Sequence, residues 1–502
     1  ELVLPLDPRR AATCVLGNNW VDEKRLRLPF ILSAPDIGQM LVTAASGTPA
    51  PDSQLTARWE GSRLHGTATL TFEIPAASLS AGLVLNFRPV VLAPPAGVND
   101  TKRWAMARRG WFNMLQLTAW RPAEPGQALT PAGYWANNLI SDPVCNTTYF
   151  LGDHVQLLPE LAPGVSAAAM LRRTLDFWLE RPNADGTLPY TVSDQSGTMA
   201  DSNPSTLCAA WSYVKVSNDL DWLRRQIDKL ERLSAFMEKR DVDGDGLVES
   251  VLSGNRGTHA FGDTAWDTIS SGYKNAYVNA LAHRGWLGLA DFEQRLGRPE
   301  PAARYTALAA KLRAAYVPAF YDSATGWLGW WRSADGQLHT LWSDVPTSMA
   351  VNNGVIDGKT ARPMLEKYLA ALDASGFKRF DLGVPVMVKP AHRDDQFQAY
   401  GGQKEDGSDT FGKYLNGGCC VSNTSYLLAA LYAAGLNERA DFILDAMLRR
   451  QRDGVFANGG GFQNGVINRG PEGAEFMDWN GNTCGYEGHL VYSWSWLQAV
   501  VR

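Results

Sequence analysis

Residues 204–237 read PSTLCAAWSYVKVSNDLDWLRRQIDKLERLSAFM, and the two halves of this stretch have different helical character. The first, to about residue 216, is rich in Ala, Trp and Tyr. The second sets Leu223, Ile227, Leu230 and Met237 on one stripe and charges on the remainder. An apolar stripe at helical period buries one face and leaves the other wet, whereas a helix that is small or apolar all round is enclosed by its neighbours. The stretch therefore predicts a hairpin of one inner and one outer helix.

The pattern recurs along the chain. A helix near 145–158 precedes the stripe Leu171, Leu175, Trp178 and Leu179, and further pairs fall at 274–296 with 300–316, 344–355 with 359–373, and 422–434 with 437–451. A sixth pair combines the C-terminal GHLVYSWSWLQAVV with a helix near 104–120. Six hairpins close an (α/α)6 toroid, with the inner helices entered through loops rich in Asp, Asn, Trp and Gly at one mouth. A solenoid would need a fixed-period repeat, which the sequence lacks.

Residues 1–100 read differently. Short alternating runs such as ATLTFEI and GLVLNFRPVVL stand between Gly, Pro, Ser and Asp clusters, and LAPPAGVND follows as a linker. The expectation is mainly α architecture: a small β-sandwich-like domain over 1–100, then a helical barrel over 101–502.

Composition narrows the partners. The 502 residues are 45% hydrophobic and 20% charged, with 47 basic against 52 acidic side chains and a net charge of -5. This mixture offers no basic face to nucleic acid, and no run is long and apolar enough for a membrane span. The six cysteines, Cys14, Cys145, Cys208, Cys419, Cys420 and Cys484, have no metal or redox spacing. The start at Glu1 without Met and the Ala- and Arg-rich composition lead to the expectation of an exported bacterial protein, periplasmic or secreted. Eighteen tryptophans, several beside turn residues, suit sugar rings, whose C–H faces stack on aromatic planes while their hydroxyls need directed polar groups.

Two segments carry candidate chemistry. In HAFGDTAWDTISSGYKNAYVNALAHRG, Asp263 and Asp267 stand before an inner helix beside Phe261, Trp266 and Tyr273. A carboxyl against aromatic surface loses solvation of its charged form, so its pKa rises and it can act as a general acid. The alternative for either is a helix N-cap. Late in the chain, GGGFQNGVINRGPEGAEFMDWNGNTCGYEGHL holds Glu472, Glu475, Asp478, Trp479 and Glu487 in one long polar loop. A carboxylate there could activate water across the mouth from the acid. The alternative is a solvated loop charge.

DTAWDTISSGY resembles the acid-bearing segment of glucosidases in glycoside hydrolase family 63 and trehalases in family 37, and GAEFMDWNG resembles their base segment. LGVPVMVKPAHRDDQF and YLNGGCCVSNTSYLLAALYAAG are similar to segments of other six-hairpin glycosidases, including the α-L-rhamnosidases of family 78. The likeness spans about 104–502. It implies Asp267 as general acid and Glu475 as general base in an inverting hydrolysis, with the carboxyls about 6.5 to 9.5 Å apart. The family Arg after the acid is missing here, where Ser271, Gly272 and Tyr273 stand, and Phe476 and Met477 replace the usual Tyr after the base.

Trp135, Asn137, Asp201, Asn203, Trp266, Asn416 and Trp479 are further candidates for sugar contacts, with capping as the competing role for the amides and carboxylates. DVDGDGLVES places Asp241, Asp243 and Asp245 as a calcium loop would, but Leu252 stands where the bidentate Glu belongs. A tight Asp/Gly turn is the first expectation and a lone structural calcium the second; no cofactor is expected. No Gly-x-Ser-x-Gly elbow marks a Ser-His-Asp triad. A glycoside hydrolase with an exo-type pocket is the leading function. The rivals are a polysaccharide lyase and a non-catalytic carbohydrate-binding protein of the envelope.

Overall fold

The structure is a computed structural model that describes residues 2–5, 14–22, 25–34, 38–44, 55–62, 67–75, 83–95, 98, 100–107, 148–190, 198–452, 476–482 and 484. The chain opens with strands β1 (Leu2–Pro5), β2 (Cys14–Leu16), β3 (Arg25–Arg27), β4 (Phe30–Ala34), β5 (Gly38–Ala44), β6 (Thr56–Ser62), β7 (Thr67–Glu73) and β8 (Leu85–Pro89). They form two antiparallel sheets in the orders β1-β7-β6-β3 and β2-β4-β5-β8. Val15, Leu26, Phe30, Val42, Ala57, Leu70 and Phe72 fill the space between the sheets. Successive strand residues point to opposite faces, so Leu16 and Ile31, the neighbours of Val15 and Phe30, turn outward. They join Leu92 and Trp104 in the core of the helical part. The second sheet thus packs on the helical core through Leu16 and Ile31, and Asn18 pins it by exchanging two hydrogen bonds with the Ser166 backbone at 2.6 and 2.9 Å.

Helical hairpins follow: α1 (Thr148–Leu157) with α2 (Ala167–Leu179), α3 (Ser202–Ser217) with α4 (Leu220–Glu238), α5 (Ala276–Arg295) with α6 (Pro299–Phe320), α7 (Val345–Asn352) with α8 (Gly358–Ala374), and α9 (Val421–Ala433) with α10 (Asn437–Arg452). Burial follows the periodicity. Small residues bury α3 on nearly every side, while α4 buries Trp222, Leu223, Ile227, Leu230, Leu233 and Met237 along one stripe. Asn218 ends α3 in the left-handed conformation, and Asp219 caps α4 by accepting from Trp222 N at 2.9 Å, so the turn takes two residues.

The first helices α1, α3, α5, α7 and α9 pack on one another in series. The second helices lie outside them: α2 touches α1 and α3, α4 touches α3 and α5, and α8 touches α7 and α9. This is the double ring of an (α/α)6 barrel. Of the sixth pair, residues 101–107 are helical, and the remainder of 104–120 and the C-terminal helix lie outside the described residues. No helix among the described residues is long and apolar enough to cross a membrane.

Candidate active site

Because the inner helices run the same way, the loops that lead into them meet at one mouth. Asp201 immediately precedes α3, Asn275 precedes α5 and Asp344 precedes α7. Asn275 is the cap of α5, accepting from Tyr277 N at 2.9 Å. Asp263 and Asp267 are therefore not its caps, and the capping alternative for them falls.

The segment that bears Asp263 and Asp267 is fastened to the start of α3 by two hydrogen bonds. Ala200 N donates to the Asp263 carbonyl at 2.7 Å, and Ala265 N donates to Asp201 Oδ2 at 3.0 Å. The turn closes through Gly262 N and the Asp267 carbonyl at 2.6 Å. Only glycine fits at 262, since a Cβ there would lie 2.5 Å from the Ile269 carbonyl oxygen. Asp201 is fully enclosed, and its Oδ1 has no hydrogen-bond partner among the described residues. Burial, reinforced by the nearby Asp263 carboxylate, pushes its carboxyl up to about 8. Asp263 is buried too, accepts from Ser271 Oγ at 3.3 Å, and is pushed by burial up to about 6. Trp266, between Asp263 and Asp267 in the chain, is half-buried and edge-on to Tyr277 at 6.2 Å and to Trp330 at 5.2 Å, with its Nε1 unpartnered among the described residues.

Asp267 is half-buried and receives the Tyr414 hydroxyl at 3.3 Å. Tyr414 sits in the left-handed region at φ 43, a conformation costly for a bulky residue and held only by surrounding contacts. One such contact is the ring of Phe476, 4.8 Å away. Phe476 and Met477 add to the edge of Cys419–Cys420, with Met477 and Cys419 exchanging hydrogen bonds at 2.7 and 3.1 Å. Tyr414 thereby bridges the acid segment and the start of the late EFMDWNG stretch. Glu475, Glu472 and Glu487, like Trp135 and Asn137, lie outside the described residues.

Three of the candidate sugar contacts make hydrogen bonds within the protein. Asn203 accepts from Leu188 N at 3.0 Å and donates to the Gly186 and Leu233 carbonyls at 3.0 and 3.2 Å, tying a loop to α4. Asn416 accepts from Ala391 N and donates to the Gly407 carbonyl and Thr410 Oγ1, all within 3.0 Å. Its amide is the clamp of the 391–410 loop. Trp479 donates to the Gly417 carbonyl at 2.7 Å and packs between Phe377 and Phe411. Each of these side chains is engaged with the protein itself.

The Asp/Gly loop is a turn, with Asp241 and Asp245 accepting from Gly246 N and Leu247 N at 2.9 Å. Asp241, Asp243 and Asp245 are close enough to share an ion. Two ammonium groups already face them. Lys274 Nζ lies 2.5 Å from Asp243 and 2.6 Å from Asp245, and Lys311 Nζ lies 2.7 Å from Asp241. The Lys274 contact holds the Asp243 carboxyl below its ordinary value.

The structure adds residues that the sequence did not mark. Asp395 accepts from Arg256 at 2.7 and 3.1 Å and lies 3.0 Å from His339 Nδ1. Burial opposes its ionisation, but these partners outweigh burial and hold the carboxyl below its ordinary value. His339 stacks flat on Trp331 at 4.1 Å, and its Nε2 lies 3.2 Å from Ser333 Oγ. A Ser-His-Asp line is thus assembled, yet Ser333 is fully enclosed and its hydroxyl donates to Asp335 at 2.5 Å, so no acyl group can reach it. The line's effect is to anchor the 391–410 loop, which pairs with the acid segment through Phe397 N to the Thr268 carbonyl at 2.9 Å and Ser270 N to the Asp395 carbonyl at 3.0 Å. Asp344 is likewise buried, held by Ser348 and Asn423, and pushed by burial up to about 6.

No protein-family model and no curated protein matches the sequence. Solved structures do match the fold. A rhamnosidase from Klebsiella oxytoca with rhamnose bound aligns at TM-score 0.52 and 14% identity over 86% of this chain and 71% of its own. The family 78 rhamnosidase of a Bacillus species aligns at 0.50 and 12% identity over 86% of this chain and 38% of its own. The family 63 mannosylglycerate hydrolase from Thermus thermophilus, in complex with Tris and D-glycerate, aligns at 0.50 and 11% identity over 79% of this chain and 99% of its own. The fold is that of the six-hairpin glycoside hydrolases. In this six-hairpin barrel the loops bearing Asp201, Asp263 and Asp267 occupy the mouth at the N-terminal ends of the inner helices. The likeness expected from the DTAWDTISSGY and GAEFMDWNG segments is therefore met at the level of the fold.

Proposed function

We propose that the protein is a glycoside hydrolase that works by single displacement, with Asp267 protonating the leaving oxygen and Glu475 activating the attacking water. The observation that carries this reading is the Tyr414 bridge. Its hydroxyl reaches Asp267, and its ring packs on Phe476, the residue that follows Glu475. Asp267 and the residue that follows Glu475 thus share one contact, Tyr414, although they are far apart in the chain. Half-buried Trp266, whose Nε1 has no partner among the described residues, adds support, because a sugar's hydroxyl can supply what such a polar group otherwise lacks. The rhamnose- and mannosylglycerate-related neighbours set the first glycosides to try.

A second assignment exchanges the acid. Asp263, raised to about 6, has the protonation expected of a general acid near neutrality. Turnover of aryl α-L-rhamnosides, α-D-mannosides and α-D-glucosides, with NMR of the first-formed anomer, tests the reaction. Asp267→Asn and Glu475→Gln should each lower kcat by about 10²- to 10⁴-fold on the accepted glycoside, and the new anomer should be inverted. Near-normal turnover of Asp267→Asn beside an inactive Asp263→Asn transfers the acid role to Asp263.

A further inference from the structure

Large aromatic side chains left exposed at the edge of a site call for explanation, because each forgoes the burial that usually stabilises it. Phe261 is 44% exposed and Tyr400 is 38% exposed. They do not stand alone. Phe261 meets Phe397 edge to face at 5.5 Å, Phe397 lies 6.3 Å from Tyr400 at 32°, and Tyr400 lies 5.8 Å from Tyr414 at 31°. Tyr414 is the residue whose hydroxyl reaches Asp267. A continuous aromatic ridge therefore runs from open surface to the candidate acid.

We propose that this ridge is the leaving-group subsite of the barrel, and that its ligand is an uncharged ring with an apolar face. This rests on Asp267 as the acid, since the group protonated there must depart along the surface next to it. The ridge is built to keep its shape. The 391–410 loop that carries Phe397 and Tyr400 is held by Asn416, by Gln396 donating to the Ala391 carbonyl at 3.0 Å, and by pairing with Thr268 and Ser270 of the acid segment. A platform on the same backbone pairing as the acid stays in register with it, which lowers the ordering cost of binding.

Charge argues for a neutral ligand. Arg256 is engaged with Asp395 at 2.7 Å, and Arg393 with Asp394 at 3.3 Å, so these cations beside the ridge already have carboxylate partners. What the ridge presents is ring face and ring edge. A second pyranose offers it a C–H face and an aryl aglycone offers it a π face, and both gain by stacking.

The test compares kcat/KM on four glycosides of the sugar that the wild type accepts: benzyl glycoside, whose leaving alcohol is about as weak an acid as methanol and needs the same proton, disaccharide, methyl glycoside and glycosyl fluoride. In the wild type at least one ring-bearing substrate should exceed the methyl glycoside by about tenfold, and Phe261→Ala with Tyr400→Ala should erase that ratio. Tyr400→Trp, which keeps a ring, should preserve it and guards against a loss caused by misfolding. A benzyl preference identifies an aromatic aglycone, and a disaccharide preference a second sugar. A ratio unchanged in the double variant, or no ring preference in the wild type, overturns the proposal. The fluoride separates this from the catalytic assignment, because fluoride departs without a proton. Asp267→Asn should keep the fluoride and lose the O-glycosides; if it keeps both, the acid is wrong while the ridge is still judged by its own ratio.

Discussion

Replacing Asp201 by Asn should stabilise the protein at neutral pH and not at acid pH. Asp201 is fully enclosed at the entry to α3, and its carboxyl is pushed up to about 8 from an ordinary 3.8. The folded state therefore holds a proton that the unfolded chain releases above about pH 4. Since the folded form binds more protons, stability contributed by this group is complete below about pH 4 and drains away as pH rises toward 8. At about 1.4 kcal/mol per pH unit, the loss by about pH 7 reaches roughly 4 kcal/mol as an upper limit. Asn keeps an oxygen for Ala265 N and cannot ionise. Its amide adds a donor where Oδ1 had no partner among the described residues, a pH-independent cost of about 1 to 3 kcal/mol. Urea unfolding of both proteins from about pH 4 to about pH 8 reads the difference directly. The gap between variant and wild type should move in favour of Asn by several kcal/mol across that range. Parallel pH profiles for the two proteins would refute the claim that Asp201 is protonated in the fold.

Two further outcomes follow from the clamps. Asn203→Ala breaks hydrogen bonds to three backbone groups of the 186–188 loop and α4, and should cost about 1 to 3 kcal/mol in urea unfolding while leaving KM unmoved. A raised KM with unchanged stability would restore it as a sugar ligand. Lys274→Ala removes the ammonium that faces Asp243, Asp245 and, at 3.6 Å, the enclosed Glu249, so melting should fall and millimolar calcium should recover part of the loss. A variant that melts lower but ignores calcium would show that these carboxylates cannot be bridged by an ion.

Much of the architecture was legible because helical periodicity is local. Each hairpin from α1 to α10 could be located from the alternation of an enclosed helix with a one-sided one, since burial on one face or all faces leaves a pattern within about 20 residues. The turn that carries Asp263 and Asp267 was legible for the same reason: Trp266 stands beside Asp267 in the chain, and Asn275 and Gly262, which frame the turn, are close neighbours. The amides misled. Asn203 and Asn416 occupy loops where a sugar ligand would look identical, and what distinguishes a clamp from a ligand is a partner elsewhere, Leu233 for one and Ala391 for the other. The same limit applied to Asp395, whose partners Arg256 and His339 stand far from it in the sequence.

The sequence by itself determined the double ring of helices, the antiparallel β-region before it and the place of the Asp263–Asp267 segment ahead of an inner helix. Those depend on side-chain period, turn residues and hydrophobic content, all readable along one dimension. Only the tertiary structure decided that Tyr414 reaches Asp267 across 147 residues, that Lys274 fills a loop shaped for a cation, and that Phe261 and Tyr400 stand exposed in one ridge. Proximity in space sets desolvation, charge pairing and stacking, and these are the interactions from which a site is made.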